Sequence, residues 1–525
     1  MNISKLRLPA LLLAGILSAM TFAGCGVSSG ASPATPSVSD AVTPLKAGQN
    51  TPRERLPRPP FVAPELFTPE GEAPEPFTLL AADASISGSL RLSDDGGVGR
   101  FEQKDPNDRL EFTADIEREG FYRLDFVSKS SGGYKENTVH IDGEPAGALI
   151  TDSDDYALSA LRHIYLTKGR HTVALTAMWG WISVKSVTVT PEEPSDGSEF
   201  NVPVALVNPD ADDNALGLMS YLAMNYGRTS LAGQQSQGDW ARDHGLFGGE
   251  AELMYERTGK RPAVIGLDMI DYTPSRVANG TRSREVEAAA EAWENNAIVT
   301  FCWHWNAPEP YITGDWWSAF YTEHSREGFF KKIMDGNDPE GYDMLLRDID
   351  AIAEQLAVLR DAGVPVLWRP LHEASGGWFW WGTDRESYLK LYALLYDRLT
   401  VQHNLTNLIW VWNGQHKDWY PGDDMVDIIG EDVYAEKRSY ASQVNRFLTA
   451  RSYTKAPKMI TLSENGVLFD PDLAARDGAL WSWWCVWNGE FVNGEDYTET
   501  AMLKKAYESE LVVTHDELPD LKKYP

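Results

Sequence analysis

The chain has little cysteine, more acid than base, and no long apolar run beyond its amino terminus. Three cysteines in 525 residues are too few for a disulfide framework. The 47 basic residues stand against 77 acidic ones, and this net charge of −30 disfavours phosphate backbones and anionic lipids, so nucleic-acid binding is excluded. The ten histidines lack helical metal spacing, and the glycines form no phosphate-binding or dinucleotide fingerprint. These absences leave a chain long enough for several domains, whose chemistry must come from other side chains.

The amino terminus has the pattern of an export signal. Lys5 and Arg7 precede the apolar stretch Leu8–Phe22, which is too short to span a membrane. Cys25 follows this stretch as it does in a bacterial lipobox, and a lone cysteine there has little other use. We therefore expect residues 1–24 to be removed and Cys25 to carry a lipid that holds the exported protein at the bacterial cell surface or outer membrane. Ordinary signal cleavage, which would give a secreted protein, is the alternative.

The next two segments differ in composition. Residues 25–76 contain eleven prolines among serine, threonine and alanine, which predicts a linker without a core of its own. Residues 77–191 alternate apolar and polar side chains with period two, as in Tyr122–Val127, and turn clusters such as Ser130–Gly133 separate the runs. No helical pattern interrupts them, so residues 77–191 are predicted to form an antiparallel, jelly-roll-like β-sandwich.

Aromatic side chains are the candidate binding residues of the predicted sandwich. Trp179 and Trp181 flank a glycine before the last strand, and Tyr134 follows a glycine pair. A single tryptophan packs a core about as often as it binds a sugar, but two around a loop glycine favour an exposed ring that stacks on a sugar. We therefore predict a glycan site at these three residues.

The sandwich resembles carbohydrate-binding module family 35. The resemblance rests on the motifs Ala81–Ala84, Leu110–Thr113, Gly120–Leu124, His140–Gly143 and Trp179–Trp181. Ala82 stands where that family has a glutamate that binds a structural calcium ion, and Lys185 or Ser186 stands where it has a late aspartate. The resemblance therefore implies a carbohydrate-binding module, but it leaves the calcium ion and the preferred sugar open.

Residues 202–515 alternate between short apolar runs and helical patterns. Over residues 344–360, apolar side chains recur every three or four positions and Gly363 follows as a stop, which predicts a helix. The near-continuous apolar runs suit parallel strands that are buried on both faces, and eight of them predict a (β/α)8 barrel. The runs begin at Ser230, Ala263, Ala297, Val366, Asn407, Val426, Met459 and Leu480.

Each of the eight runs ends in a polar residue. The endings are Gln235, Asp268, His304, Glu373, Asn413, Tyr434, Glu464 and Asn488. A barrel of this kind builds its active site at the carboxyl ends of its strands. One polar ending would carry no meaning, but eight at the same end of the barrel predict an active site there.

Glu373 and Glu464 end runs four and seven, which face each other across the predicted barrel mouth. Two carboxyl groups cleave a glycosidic bond with retention when they are about 5–5.5 Å apart, and with inversion when they are about 6.5–9.5 Å apart. The sequence leaves this distance open. Arg369 would favour the ionised form of Glu464, and Tyr434 could donate a hydrogen bond to it. We therefore expect an ionised Glu464 beside a protonated Glu373.

Three motifs of the predicted barrel resemble glycoside hydrolase family 26. They are Trp368–Gly382 on the fourth strand, Tyr420–Tyr434 on the sixth and Thr461–Gly466 on the seventh, and the similarity spans residues 208–510. Many related barrel glycosidases have asparagine directly before the acid, whereas this family has histidine, as the chain does before Glu373. Members of the family mostly cleave β-1,4-mannan internally, and a few act on mixed-linkage β-glucan or xylan.

The resemblance implies a role for each matching residue. Glu373 would be the acid/base, Glu464 the nucleophile and Tyr434 the residue that orients the nucleophile. His304 and His372 would line the subsite of the attacked sugar. The resemblance further implies Trp378, Asp432 and Trp487 as substrate-binding residues, the last as the stacking platform, and Arg369 joins them as a candidate from its place on the strand of Glu373.

The expected function is therefore that of an exported, monomeric endo-β-1,4-mannanase that acts on mannan, glucomannan or galactomannan with retention. No cofactor is expected for catalysis, and the acidic surface is no obstacle to a neutral polymer. Two alternatives stand beside it: the same chemistry on mixed-linkage β-glucan or xylan, and a catalytically weak glycan-binding protein at the cell surface. The presence of both glutamates and Tyr434 favours an enzyme.

Overall fold

The computed structural model of the chain describes residues 61–101, 105–131, 133–179, 181–193, 195–236 and 248–524. The predicted signal, Cys25 and the first part of the predicted linker lie outside these residues, and so does the side chain of Trp179. The described part begins with a β-sandwich and continues into an α/β barrel. Within it, no helix combines the length and the apolar character that crossing a membrane requires.

The sandwich consists of two antiparallel sheets. Its strands are β1 (Phe77–Leu80), β2 (Ser85–Ser87), β3 (Arg91–Leu92), β4 (Val98–Gly99), β5 (Arg109–Ile116), β6 (Gly120–Ser130), β7 (Lys135–Ile141), β8 (Glu144–Thr151), β9 (Ala157–Leu166), β10 (Gly169–Trp179) and β11 (Ile182–Glu192). One sheet has the order β3-β4-β11-β6-β9 with β1 also paired to β11, and the other has the order β2-β5-β10-β7-β8. Alternate residues such as Leu110, Phe112 and Leu124 fill the core between the sheets, as the period of two predicts.

The barrel is a closed ring of eight parallel strands. In chain order they are β13 (Gly233–Gln235), β14 (Val264–Asp268), β15 (Ile298–Trp303), β16 (Val366–Pro370), β17 (Leu408–Trp412), β18 (Ile428–Val433), β19 (Met459–Asn465) and β20 (Trp484–Val486). A short pair, β12 (Ser230–Leu231) and β21 (Val512–Val513), lies beside it. Every predicted run contributes one barrel strand, so the (β/α)8 prediction is confirmed. The eighth strand is shorter than its run, because it begins at Trp484 rather than Leu480.

Helices surround this ring. They are α1 (Asp213–Asn225), α2 (Gly248–Thr258), α3 (Pro274–Ala278), α4 (Glu285–Glu294), α5 (Phe329–Met334), α6 (Pro339–Asp361), α7 (Arg385–Asp397), α8 (Val444–Arg451), α9 (Pro471–Arg476) and α10 (Thr500–Tyr507). The helix predicted over residues 344–360 is α6, which begins five residues earlier. Asp338 caps it by accepting a hydrogen bond from the Gly341 backbone over 3.1 Å, and a proline suits its first turn. Gly363 follows the C-cap of α6 in the left-handed conformation, with φ of 71°, and ends the helix as expected.

Tryptophan fills much of the barrel core. Among the tryptophans whose side chains the structure describes, ten are less than 2% exposed: Trp303, Trp305, Trp368, Trp380, Trp381, Trp410, Trp412, Trp481, Trp483 and Trp484. The rings of Trp303 and Trp305 stack with their centroids 4.1 Å apart, and Trp305 Nε1 donates a hydrogen bond to Asp348 over 2.9 Å. The tryptophan content therefore serves packing first and leaves a few rings for the barrel mouth.

The sandwich packs directly on the barrel, and the described residues of both domains belong to one compact unit. The contact involves β9 and α8. Arg446 on α8 forms an ion pair with Glu136 on β7. Nearby, Thr138 Oγ1 donates to Glu436 Oε1 over 2.6 Å. Polar contacts thus join the two domains across their interface.

The described end of the predicted linker, residues 61–76, also contacts both domains. The ring of Phe67 packs edge-on against Tyr165 of the sandwich, with centroids 5.3 Å apart. On the barrel side, Arg228 Nη2 donates to the Val62 carbonyl oxygen over 2.6 Å. Apolar residues between the prolines make these contacts, which an averaged composition does not reveal. This end of the segment is therefore part of the folded structure.

Candidate active site

Glu373 and Glu464 meet at the mouth of the barrel. Glu464 lies in β19, and Glu373 follows β16 in a left-handed backbone conformation with φ of 53°, as does Leu371. Such conformations are strained for residues other than glycine and concentrate at functional sites. One carboxylate oxygen of Glu373, one of Glu464 and one of Asp432 on β18 lie within 4.8 Å of one another. Three acidic side chains thus share one small space.

Arg369 joins Glu464 to Asp432 beneath this space. Its Nη2 donates to Glu464 Oε2 over 2.6 Å, and its Nη1 donates to Asp432 Oδ2 over 2.7 Å. Burial alone would lower the pKa of Arg369, but the charges of the two carboxylates outweigh it and raise that pKa. Tyr434 donates its phenolic hydrogen to the other oxygen of Glu464. Both oxygens of Glu464 therefore accept hydrogen bonds, one from a cation and one from a phenol.

Glu373 has a different environment. Burial raises its pKa well above the usual value, and the nearby charges of Asp432 and Glu464 raise it further. Trp378 Nε1 donates to Glu373 Oε2 over 2.8 Å and fixes the position of the carboxyl group. The pocket therefore favours a protonated Glu373 beside Glu464, which is paired with the Arg369 cation. Different environments of this kind let one carboxyl group act as an acid and the other as a nucleophile.

His304 and His372 form a pair beside the glutamates. His304 follows β15 and His372 directly precedes Glu373, and their Nε2 atoms lie 3.2 Å apart. Burial lowers the pKa of His372 well below its usual value, and the neighbouring His304 and Arg369 lower it further, so His372 is neutral. Asp268, at the end of β14, holds His304 Nδ1 over 2.5 Å. The sequence marked Asp268 as a strand ending, but it gave no signal for this contact.

Aromatic rings border the pocket. The partly buried ring of Trp487 has its centroid 5.8 Å from that of His304. Tyr321 stacks on Phe379 with centroids 5.5 Å apart. Burial and the charges of Glu373 and Glu464 raise the pKa of Tyr321 to about 12. Sequence reasoning missed Tyr321 because it lies in the long irregular segment after β15, where no periodic pattern singles out a residue.

Trp181 and Tyr134, the described candidates for glycan binding, belong to the sandwich and differ in how they are exposed. Trp181, directly before β11, is 58% exposed. The hydroxyl group of Tyr134 donates a hydrogen bond to Glu136 of the same domain, and Arg446 of the barrel donates to it over 3.4 Å. The ring of Tyr134 remains 41% exposed. Trp181 is thus an open surface, whereas Tyr134 stands at the edge of the interface between the domains.

Two clusters within the described residues have three donor atoms close enough to hold a cation. In the first, the carboxylates around Glu464, Arg369 already supplies the positive charge. In the second, Asp268 and His304 are hydrogen-bonded to each other, and burial raises the pKa of the Cys302 thiol well above its usual value. A protonated thiol is a poor ligand, so neither cluster fits a metal ion well.

Comparison with known proteins connects the two parts of the chain to two families. Residues 207–517 match the model of glycosyl hydrolase family 26, and residues 70–192 match the model of carbohydrate binding module (family 35). The first match covers more than half of the chain and contains the whole pocket described above.

Relatives and solved structures agree with these matches. A mannan endo-1,4-β-mannosidase of Thermothelomyces thermophilus is 39% identical over 453 residues, which cover 84% of this chain and 90% of that protein. Mannan endo-1,4-β-mannosidase B of Piromyces is 33% identical over 434 residues, which cover 82% of this chain and 73% of that protein. The crystal structure of a Podospora anserina β-(1,4)-mannanase with family 26 and family 35 modules is 36% identical, has a TM-score of 0.61, and covers 85% of this chain and 99% of its own. The chain therefore belongs to glycosyl hydrolase family 26.

Proposed function

We propose that the protein is an endo-acting β-1,4-mannanase that retains the anomeric configuration. The observation that carries this proposal is the spacing of the two glutamates, since one oxygen of Glu373 lies within 4.8 Å of one oxygen of Glu464. In retaining glycosidases the two carboxyl groups are about 5–5.5 Å apart, which agrees with this spacing. An inverting enzyme places a water molecule between its carboxyl groups, and this spacing is too narrow for one. The relatives named mannan endo-1,4-β-mannosidase support β-mannan as the substrate.

In the first step, Glu373 acts as the acid and Glu464 as the nucleophile. The buried Glu373 carboxyl group transfers its proton to the glycosidic oxygen as the bond from that oxygen to the anomeric carbon breaks. Glu464 attacks the anomeric carbon and forms a covalent glycosyl ester, and the leaving sugar chain departs as an alcohol. Tyr434 orients the attacking carboxylate through its hydrogen bond.

In the second step, Glu373 acts as the base. Its carboxylate takes a proton from a water molecule, and the water oxygen attacks the same anomeric carbon. The ester bond breaks and Glu464 leaves with the electron pair as a carboxylate, which Arg369 stabilises through its ion pair. Two displacements at one carbon give retention, and because carboxyl groups carry both steps, the reaction needs no cofactor.

Ring faces and hydrogen bonds bind the substrate in this proposal. Trp487 supplies a flat platform on which the CH groups of a pyranose ring stack. His304 and His372 offer ring nitrogens to the hydroxyl groups of the attacked sugar. Trp378 and Asp432 border the same pocket, where Trp378 holds Glu373 and Asp432 holds Arg369 through hydrogen bonds. Such contacts suit a neutral polymer and require no basic surface.

We further propose that the sandwich holds the enzyme on its polymer and that the chain acts as a monomer. The match to a carbohydrate-binding family and the exposed ring of Trp181 support this role, and Trp179 and Tyr134 are the further candidate residues. A lipid on Cys25 would anchor the exported protein at the cell surface. Labelling with a radioactive fatty acid, lost in Cys25→Ser, tests that anchor.

Glu373→Ala and Glu464→Ala test the catalytic assignment. Each should lower turnover of mannan at least about a thousandfold, because removal of an acid/base or a nucleophile removes a step that the other groups cannot supply. The anomer that forms first, read by proton NMR, should be the β-anomer. Near-wild-type turnover by either variant, or an α-anomer, would contradict the assignment.

Parallel hydrolysis of mannan, mixed-linkage β-glucan and xylan tests the sugar. We expect mannan to be cleaved fastest, with an early fall in viscosity that reports internal cleavage. Faster release from β-glucan or xylan would keep the chemistry and replace the substrate. Slow hydrolysis of all three polymers with tight binding would favour a glycan-binding protein.

A further inference from the structure

Asp268 ends β14 at the barrel mouth, and the mechanism proposed above does not use it. Its Oδ2 lies 2.5 Å from His304 Nδ1, and its Oδ1 accepts hydrogen bonds from the backbone nitrogens of His304 over 3.1 Å and Ile270 over 3.0 Å. The backbone nitrogen of Asp268 in turn donates to Glu285 Oε2 over 2.6 Å. One carboxylate thus holds both the ring and the backbone of His304.

The charge of Asp268 decides where His304 carries a proton. Burial would raise the pKa of Asp268, but the contacts of its carboxylate with His304 outweigh burial and hold that pKa below the usual value. An ionised carboxylate only accepts hydrogen bonds, so His304 Nδ1, which faces it, carries a hydrogen. In the neutral ring, Nε2 is then left with a lone pair.

His372 completes the order of protons. It is neutral, and therefore carries one ring hydrogen. Its Nε2 faces His304 Nε2 over 3.2 Å, whereas its Nδ1 is buried and has no hydrogen-bond partner within the described ranges. A hydrogen on Nε2 lets His372 donate to His304, but a hydrogen on Nδ1 would leave a buried donor unpaired and set two lone pairs against each other. The hydrogens therefore run in one direction from His372 through His304 to Asp268.

We propose that Asp268 is a positioning residue of the active site that fixes the tautomer of His304. Through it, His304 Nε2 is an acceptor and His372 Nε2 beside it is a donor. A sugar hydroxyl group that replaces their direct hydrogen bond can accept from His372 Nε2 and donate to His304 Nε2, so it matches this pair of unlike nitrogens. Asp268 itself does not touch the sugar. The role in catalysis rests on the proposed function, but the tautomer does not depend on it.

Asp268→Asn tests the tautomer directly. The asparagine Oδ1 can keep both backbone contacts, while its amide group, a donor, faces His304 Nδ1 and requires a lone pair there. His304 should then carry its hydrogen on Nε2. Long-range ¹⁵N–¹H correlation spectra of the histidine-labelled full chain distinguish the two tautomers, and the His304→Ala spectrum identifies the signal. A wild-type His304 that carries its hydrogen on Nε2, or an unchanged Nδ1–H form in Asp268→Asn, overturns the proposal.

Kinetics test whether the tautomer matters to catalysis. Asp268→Asn should lower kcat/KM on mannan about 10- to 100-fold, the size of one misplaced hydrogen bond to a charged or reacting group. The same substitution in a His304→Ala background should change kcat/KM little, because Asp268 acts through His304. Asp271→Asn is the matched control, since Asp271 lies in the same loop and pairs with Arg276 over 2.8 Å. It should keep wild-type kinetics.

A structural role alone would give other results. If Asp268 merely shaped its loop, Asp268→Asn would lower the melting temperature and would lower activity equally with and without His304. Equal losses in both backgrounds, or a loss in Asp271→Asn as large as in Asp268→Asn, overturn the positioning role. Absence of mannan hydrolysis by the wild type would reject the proposed function, and the spectra would then still decide the tautomer.

Discussion

Arg369 and Glu464 form a buried ion pair, with Nη2 and Oε2 2.6 Å apart and the arginine side chain 3% exposed. The second nitrogen of the same guanidinium group holds Asp432 over 2.7 Å. A planar fork reaches two carboxylates at once, whereas the single ammonium group of lysine cannot keep both in this geometry. One side chain thus connects β16, β18 and β19 at the point where we propose that the nucleophile acts.

Arg369→Lys should therefore lower kcat on mannan while it changes the free energy of unfolding little. We expect a loss of about 10- to 100-fold, because the variant keeps a charge but orients only one carboxylate. Arg369→Gln should lower the free energy of unfolding by about 3–5 kcal/mol, since it leaves buried carboxylates without a cation. Steady-state kinetics and urea unfolding measure the two effects.

Arg398 offers a matched control for this prediction. It binds Asp350 through two nitrogens, each over 2.6 Å, in the turn that follows α7. Arg398→Lys should keep kcat. Equal kinetics of Arg369→Lys and the wild type would show that orientation of the two carboxylates does not limit the reaction.

The proton on Glu373 should set the alkaline side of the pH profile. Because the protonated form donates to the leaving oxygen, kcat/KM on mannan should fall as the pH rises through the pKa of Glu373, which burial and the nearby carboxylates hold well above the usual value. An aryl β-mannoside with a good leaving group needs no proton in the first step. Glu373→Ala should therefore react with it once and accumulate the glycosyl ester, which mass spectrometry detects.

Azide separates this mechanism from inversion. In Glu373→Ala, azide should attack the glycosyl ester on Glu464, restore turnover of the aryl mannoside and give the β-mannosyl azide. Wild-type enzyme should gain nothing from azide, because its Glu373 already activates water. An α-mannosyl azide would instead indicate a single displacement.

Buried carboxyl groups outside the mouth predict a pH-dependent stability. Burial raises the pKa of Glu431 to about 7, and those of Asp348 and Asp427 to about 6. The unfolded chain releases these protons near pH ~4, whereas the folded chain still binds them, so the free energy of unfolding should fall as the pH rises from ~4 to ~7. Melting temperatures measured near pH ~5 should exceed those near pH ~8.

Glu431→Gln isolates one of these groups. Glu431 accepts a hydrogen bond from the Tyr453 hydroxyl group over 2.7 Å, which a glutamine oxygen can also accept. A pKa of about 7 against an ordinary 4.5 corresponds to at most ~3 kcal/mol of lost stability at high pH, and the substitution should remove that loss. A variant that keeps the full wild-type difference between acid and neutral pH would assign it to other groups.

The fold followed from local signals in the sequence. Alternation with period two predicted the sandwich, and near-continuous apolar runs that end in polar residues predicted the barrel and the end where its pocket lies. Glu373, Tyr434 and Glu464 could be found because each directly follows or ends such a run. In a closed parallel barrel, the carboxyl ends of all strands meet at one mouth, so residues that end the predicted strands are expected to lie near one another.

Contacts made by loops, and contacts between the sandwich and the barrel, left no periodic pattern in the sequence. No periodic pattern separates Trp378, which holds Glu373, from Trp380 and Trp381, which are buried in the core, and only the family resemblance singled out Trp378. The ion pair of Glu136 with Arg446 joins residues 310 positions apart in two domains. Such contacts depend on how loops cross and how domains meet, and neither has a period that a sequence can display.

The interface between the domains should make them unfold together. Arg446 and Glu136 have side chains only 18% and 16% exposed, and Arg446→Ala would remove the cation that pairs with Glu136 across the interface. We expect a loss of roughly 1–3 kcal/mol, and the single calorimetric transition of the wild type should separate into two. Arg109→Ala is the control, because Arg109 pairs with Glu111 within the sandwich. Two transitions already in the wild type would contradict the prediction.

The exposed ring of Trp181 should carry binding to polymer. Deletion of the sandwich is a poor test, because it would uncover the barrel surface that Arg446 and its neighbours occupy. Trp181→Ala removes the ring alone, and we expect weaker retention on insoluble mannan with unchanged hydrolysis of short manno-oligosaccharides, since a stacked ring contributes about 0.5–1.5 kcal/mol beyond its buried area. Leu158→Ala is the matched control: Leu158 is 73% exposed on β9 of the same domain but offers no flat ring. Equal loss in both variants would point to general apolar adhesion, and no loss in Trp181→Ala would remove this residue from the glycan site.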